Sequence, residues 1–209
     1  MLGRNARALS ARVFTPPARL LLRLGVGPDA VTVAGTAGVV VSALTLFPTG
    51  HLLWGSLAVA FFVLSDTVDG IMARTLGRSG RWGAYLDSTM DRFGDGAVFG
   101  GLVVWAARGG DSPLTAALAL LCLVLGSVVP YAKARAEGLG FTADVGLAER
   151  SDRLVAALVG AFLVGLGAPV AVLTVVLALL AVASLVTVVQ RMATVRRQAL
   201  AGATSAPGA

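Results

Sequence analysis

Three stretches of this chain carry no Asp, Glu, Lys or Arg: residues 30–65, 112–132 and 154–190. A charge-free apolar run of roughly 18 or more residues can cross the hydrocarbon core of a membrane as a helix. The first and third runs are about twice that length. Each is broken near its middle, by Phe47-Pro48-Thr49-Gly50-His51 and by Gly165-Leu166-Gly167-Ala168-Pro169. Clusters of Gly and Pro punctuate helices, so each long run reads as a helical hairpin. The chain is 56% apolar and 13% charged, against about 25% charged for a soluble domain.

Six spans follow, over approximately residues 30–48, 52–73, 83–107, 112–136, 151–167 and 169–191. The expected fold class is an all-α integral membrane protein: a six-helix domain over 28–197 and a membrane-surface segment over 1–27. In that segment Arg4, Arg7, Arg12, Arg19 and Arg23 alternate with Leu9, Val13, Leu20, Leu21 and Leu22. Pro16 and Pro17 are expected to split it into two short amphipathic pieces at headgroup level, where Arg meets anionic membrane lipid. The Ala/Gly/Ser/Pro-rich tail, 198–209, is expected to be disordered.

The net charge of +6 raises the question of nucleic acid, and the placement of the charge argues for a membrane instead. Lys133 is the only lysine. The N-terminal segment, the 2–3 connection (Arg74, Arg78, Arg81), the 4–5 connection with its flanks (Lys133, Arg135, Arg150, Arg153) and the C-terminal end (Arg191, Arg196, Arg197) fall on one side of a six-span layout. Only Arg108 falls on the other side, and Arg92 lies within a span. By the positive-inside rule both termini face the cytoplasm in a multi-pass protein of the cell membrane. The first 25 residues lack the pattern of a cleaved secretory signal. The lone Cys122 makes no internal disulfide.

The chemistry-bearing stretch is Ser65 to Gly96. Asp66 and Asp69 are three apart, and Asp87 and Asp91 four apart. On helices either spacing puts both carboxylates on one face. A short loop joins the two spans, so the helices are expected to be antiparallel neighbours with converging carboxylates. Four such groups repel one another and are costly to desolvate without a cation. All-oxygen ligation suits Mg2+ or Mn2+ rather than zinc, and two metals sharing carboxylates can clamp a pyrophosphate during displacement. Gly70 leaves room for a nucleotide to approach the backbone, Ala73 and Gly83 do the same nearby, and Arg74 can hold a phosphate with its planar fork. Asp95 continues the Asp87–Asp91 face at greater depth.

The run Asp66-x2-Asp69-Gly70-x2-Ala73-Arg74-x8-Gly83-x3-Asp87-x3-Asp91 resembles the full signature of the CDP-alcohol phosphotransferases, and the six-span layout around it is similar to theirs. The resemblance implies that Asp66, Asp69, Asp87 and Asp91 ligate two metal ions and that Asp91 is also the general base. It implies contacts to the CDP moiety from Gly70, Arg74, Ser79, Gly80 and Asp66. The stretch Pro28-Asp29-Ala30-Val31-Thr32 resembles a family segment beside the nucleotide. That segment usually has Asn where this chain has Asp29, so contacts there are expected from backbone groups and Thr32. The implied chemistry is attack of an alcohol on the β-phosphorus of CDP-diacylglycerol, with CMP leaving.

The acceptor is read from the basic residues Lys133, Arg135, Arg150 and Arg153 around the 4–5 connection and Arg191 at the end of the sixth span, a cluster that suits a phosphorylated alcohol. The segments Lys133-Ala134-Arg135-Ala136-Glu137, Glu149-Arg150-Ser151-Asp152-Arg153 and Gln190-Arg191 resemble the actinobacterial phosphatidylinositol phosphate synthase subfamily. That implies inositol 1-phosphate as acceptor, gripped by Lys133, Arg153 and Arg191, and a homodimer. A phosphatidylglycerophosphate synthase using glycerol 3-phosphate is the alternative within the enzyme class. A membrane transporter is the alternative outside it, since intramembrane acids also mark ion paths. A transporter would need polar groups at mid-membrane and on the far side, where this chain is nearly featureless.

Overall fold

The computed structural model describes residues 2–77, 80–147 and 149–204, with side chains from residue 13 to residue 201 of these. Among them are eight helices and no strand: α1 (Leu2–Arg23), α2 (Pro28–Leu46), α3 (Leu52–Val63), α4 (Ser65–Thr75), α5 (Arg81–Arg108), α6 (Pro113–Gly138), α7 (Arg150–Gly165) and α8 (Val170–Thr204). The sequence reading treats 28–197 as one domain. In the structure the chain packs as two compact units, one up to Gly101 and one from Leu102, and α5 contributes to both.

Four helical stretches are long and apolar enough to cross a membrane: Pro28–Leu46, Leu52–Thr75, Pro113–Gly138 and Val170–Ala201. The chain is thus of the multi-pass membrane type. The helices expected as the third and fifth spans are present but do not qualify on the same grounds. α5 carries Asp87, Asp91, Arg92 and Asp95, and α7 has 16 residues with Arg150, Asp152 and Arg153 in its first turns. Large apolar side chains such as Val41, Phe61, Val124, Leu179 and Val182 stand exposed, as expected of surfaces solvated by lipid rather than water.

In the first unit α2 packs on α3 and α4, and α1 packs on α4. Small residues bring the backbones together, as in membrane helix pairs generally. A Cβ added to Gly35 would lie 1.8 Å from the Ser65 hydroxyl, and one on Gly38 would lie 2.3 Å from the Phe62 ring. The second expected span is interrupted at Leu64, between α3 and α4. There Ser65 Oγ donates to the Phe62 carbonyl at 2.6 Å, and Thr67 N donates to the Leu64 carbonyl at 3.1 Å in a tightened turn. α4, which carries the Asp66–Arg74 motif, is thereby a helix distinct from the apolar α3.

α1 corrects the expected split at Pro16–Pro17: Leu2–Arg23 is one helix with both prolines inside it. Each proline lacks an N–H and forfeits one helical bond, but its fixed φ is already helical. Ala18, immediately after them, is fully buried and anchors this part of the helix. In the second unit α8 packs on α6 and α7. Thr115 and Thr174 share a hydrogen bond of 2.7 Å, and Cys122 Sγ donates to the Leu177 carbonyl at 3.2 Å. The tail expectation is corrected too. Where disorder was expected from Gln198, α8 continues to Thr204, because Gln198 is bonded to Thr142 on the neighbouring connection and the Ala-rich sequence favours helix. Residues 205–209 lie outside the described part.

Candidate active site

The acidic constellation lies in the first unit. Asp66 falls in the first turn of α4, and Asp69 follows one turn on, only 7% exposed. Asp69 accepts a hydrogen bond from Thr32 Oγ at 2.5 Å, and the Thr32 hydroxyl also lies 3.2 Å from the Pro28 carbonyl. The charges of Asp66 and Asp87 both act on Asp69, so α4 and the start of α5 bring three of the four expected ligands into one electrostatic neighbourhood. The fourth, Asp91, lies one turn beyond Asp87. Along α5 the acids sink progressively: Asp87 is exposed, Asp91 half-buried and Asp95 buried. Arg92 bridges the deeper two, at 3.7 Å from Asp91 and 3.8 Å from Asp95. Asp95 is therefore tied to Arg92. Sequence reasoning did not single out Arg92, although its positions at +1 and −3 to two acids on one helix are visible in the sequence.

Among the described residues, no three His, Cys, Asp or Glu side chains stand gathered tightly enough to hold a metal ion. The donor chemistry nonetheless fits a hard divalent cation. All the candidate ligands are carboxylate oxygens, and one of them is buried with two like charges acting on it, an arrangement that a cation stabilises.

The remaining expected nucleotide contacts surround these acids in sequence and element. Asp29, Ala30 and Val31 form the first turn of α2, with Pro28 at its first position and Gly27 as cap without a side-chain bond. First-turn N–H groups have no partner inside the helix, so the Asp29 and Ala30 amides are donors suited to a phosphate. The Asp29 carboxylate accepts from the indole N–H of exposed Trp82 at 2.9 Å, a partner that the sequence reading missed because the two residues are 53 positions apart. The Thr32 hydroxyl, expected on the nucleotide, is directed to Asp69. The Arg74 guanidinium folds back over Gly70, where an added Cβ would come within 3.4 Å of it. Gly80 precedes α5, its carbonyl accepting from Ala84 N at 3.3 Å, and the space around Gly83 is open. Ser79 lies outside the described residues.

The three expected acceptor ligands lie in the second unit, along one stripe of α6. Gly126, Val129 and Lys133 are at i, i+3 and i+7, hence on one face. Arg153, only 2% exposed, donates to the Gly126 carbonyl at 3.4 Å. The guanidinium lies against Gly126, where an added Cβ would stand in ordinary contact with it at 3.8 Å. Arg191 donates from Nη1 to the Val129 carbonyl at 2.5 Å and from Nε to the Val145 carbonyl at 3.0 Å. Lys133 pairs with Glu137 at 3.8 Å and closely with Asp144. The Lys133 ammonium in turn holds the exposed Asp144 carboxyl below the usual carboxylate range.

Asp144 belongs to the connection between α6 and α7, which lies along α8 at three points. Thr142 N donates to Gln198 Oε1 at 3.0 Å, and Gln198 Nε2 donates back to the Thr142 carbonyl at 2.6 Å. Arg191 holds Val145, and Leu147 N donates to Thr187 Oγ at 3.1 Å. Gly146 has a positive φ of 154°, and a Cβ on it would lie 2.5 Å from the Thr187 methyl. Only glycine permits this close passage. A cavity of about 680 Å3 opens beside it, lined by Asp144, Leu147, Thr194, Arg196, Arg197 and Leu200 among others.

Residues 26–137 match the CDP-alcohol phosphatidyltransferase family. A protein of Streptomyces avermitilis named phosphatidylinositol phosphate synthase is 51% identical over 204 residues, 95% of this chain and 84% of that one. The crystal structure of Mycobacterium tuberculosis phosphatidylinositol phosphate synthase with CDP-DAG bound is 48% identical, with a TM-score of 0.84 over 88% of this chain and 94% of that one. The same enzyme in complex with manganese and citrate is 49% identical, with a TM-score of 0.82 over 87% and 88%. The chain belongs to the CDP-alcohol phosphatidyltransferase family and is an enzyme of that family's type.

Proposed function

We propose that this protein transfers a phosphatidyl group from CDP-diacylglycerol to inositol 1-phosphate, giving phosphatidylinositol phosphate and CMP. The reading is carried by the similarity, near 50% identity over almost the whole chain, to proteins named for that synthesis. The placement of both expected residue sets supports it: carboxylates on α4 and α5, and three cations, Lys133 of α6 with Arg153 of α7 and Arg191 of α8 bonded to α6 carbonyls. Asp66, Asp69, Asp87 and Asp91 would hold two Mg2+ ions, with Mn2+ as a substitute, and ions bound there neutralise the pyrophosphate and stabilise departing CMP. Arg74, the amides at the start of α2, Gly70, Ser79 and Gly80 hold the CDP moiety. Lys133, Arg153 and Arg191 hold the phosphate of the acceptor. Asp91 takes the proton from the acceptor hydroxyl as its oxygen attacks the β-phosphorus.

In this reading α5 and α7 also cross the membrane, making six spans with both termini and the chemistry on the cytoplasmic side. α1 lies on the membrane surface, and the protein is a homodimer. Cysteines introduced at Ser151 and Gly110 should then react with an impermeant thiol reagent from opposite sides, the first from the cytoplasm.

The deciding experiment incubates the purified protein with CDP-diacylglycerol, Mg2+ and one alcohol at a time: inositol 1-phosphate, glycerol 3-phosphate or free inositol. CMP release with inositol 1-phosphate alone, abolished by chelator and restored by Mg2+ or Mn2+, is the expected result. Release with glycerol 3-phosphate instead would overturn the acceptor assignment.

A further inference from the structure

Two carboxylates meet Lys133, and they differ in kind. Glu137 is one turn along the same helix, an ordinary i,i+4 partner at 3.8 Å. Asp144 comes from the connection after α6 and contacts the ammonium directly. That connection does not depend on the ion pair for its place, because Gln198, Arg191 and Thr187 fix it at Thr142, Val145 and Leu147 through contacts that do not use the Asp144 carboxylate. A separately anchored loop thus delivers a carboxylate to a lysine that the proposed function assigns to the acceptor's phosphate.

We propose that Asp144 is a specificity-determining counter-ion of the acceptor site, occupying Lys133 until a more highly charged phosphate monoester replaces it. The inference rests on the reading of Lys133 as an acceptor ligand. A phosphate monoester brings close to two negative charges and three acceptor oxygens at neutral pH, where the carboxylate brings one charge and two oxygens. The exchange therefore favours the monoester, whereas a neutral alcohol offers nothing for which Lys133 would leave Asp144. After the exchange the Asp144 charge remains on its fixed loop near Lys133 and Arg191, whose charges both act on it. It weakens the hold on the bound anion and keeps the acceptor exchangeable.

The test is Asp144→Asn, with KM measured separately for the two substrates. KM for inositol 1-phosphate should fall about two- to fivefold, the range set by one exposed ion pair, while KM for CDP-diacylglycerol stays put. Asp144→Glu, which keeps the charge, should stay near the wild-type value. In a Lys133→Ala background the gain from Asp144→Asn should disappear. Titration of inositol 1-phosphate into the intact protein by calorimetry should show the same fall in Kd for Asp144→Asn. An unchanged or raised KM in Asp144→Asn, with thermal stability preserved, overturns the counter-ion role. The two readings fail separately. If Lys133→Ala leaves KM for inositol 1-phosphate unchanged, the assignment of Lys133 to the acceptor falls, and the counter-ion role with it. If Lys133→Ala raises it and Asp144→Asn fails to lower it, only the role of Asp144 falls.

Discussion

In the unit up to Gly101, negative charge is concentrated: Asp69 is buried, with the charges of Asp66 and Asp87 acting on it. In the unit from Leu102, each of the three cations proposed for the acceptor meets protein oxygen: Arg153 at Gly126, Arg191 at Val129 and Val145, and Lys133 at Glu137 and Asp144. Like charges held together repel one another, and a ligand of opposite sign relieves that repulsion. Cations that already have partners are stable beforehand, and a ligand must replace those partners. In the proposed reading a cation adds to the acidic set by relieving its mutual repulsion, whereas the acceptor competes with protein oxygens for the basic set. Loss of a member of the first should stop the reaction, whereas loss of a member of the second should weaken one substrate.

The strongest way to break this contrast is in the acids. Asp66→Asn, Asp69→Asn and Asp87→Asn should each lower the rate of CMP release by more than ~100-fold, beyond the range for outer partners of metal ligands. Full activity in any of these would remove the two-metal assignment. Asp91→Asn should also be inactive but, if its proposed main task is to accept a proton, should still bind CDP-diacylglycerol with near-normal affinity.

Next come the cations. Arg153→Ala, Arg191→Ala and Lys133→Ala should each raise KM for inositol 1-phosphate by about one to two decades, the ~1.5–3 kcal/mol of a charge-assisted contact. KM for CDP-diacylglycerol should not change. Arg153→Lys should cost less than Arg153→Ala, since the charge survives and only the fork is lost. Equal effects on both substrates would erase the division of labour between the units.

Thr32→Val sharpens the comparison from the acidic side. It preserves shape and removes the hydroxyl that orients Asp69, so turnover should fall about tenfold, the lower range for a partner of a metal ligand. A change confined to KM for CDP-diacylglycerol would instead place Thr32 on the nucleotide. The smallest effect belongs to Gln198→Ala, which frees Thr142 on the α6–α7 connection. Thermal unfolding should show a loss of about 1–2 kcal/mol for its hydrogen bonds, with only a small change in KM for the acceptor.

The helices were legible because apolar runs and Gly/Pro breaks act locally. The expected break at Phe47–His51 lies between α2 and α3, and that at Gly165–Pro169 between α7 and α8. The acids were legible because three- and four-residue spacings mean one helix face wherever a helix forms. What was missed depends on residues distant in sequence. Nothing local announces that Ser65 fits against Gly35 and interrupts a span at Leu64, or that Ala18 packs well enough to keep α1 helical past Pro16 and Pro17. Nor does local composition show that Gln198, in a stretch that looks like a flexible tail, is bonded to Thr142. The partners of Asp29 and Asp69 were hidden in the same way, since Trp82 and Thr32 reach them only after α2, α4 and α5 have packed.

The attachment of the α6–α7 connection to Thr187, Arg191 and Gln198 also sets where the polypeptide can be cut or extended. A fluorescent reporter joined beyond Thr204 leaves all three attachments in place. A stop codon just before Gln198 removes the outermost of them, and one before Arg191 removes two and takes a proposed acceptor ligand as well. Serial shortening from the carboxyl end should therefore be tolerated down to Gln198 and then harm the enzyme in discrete steps, the last of them at Thr187.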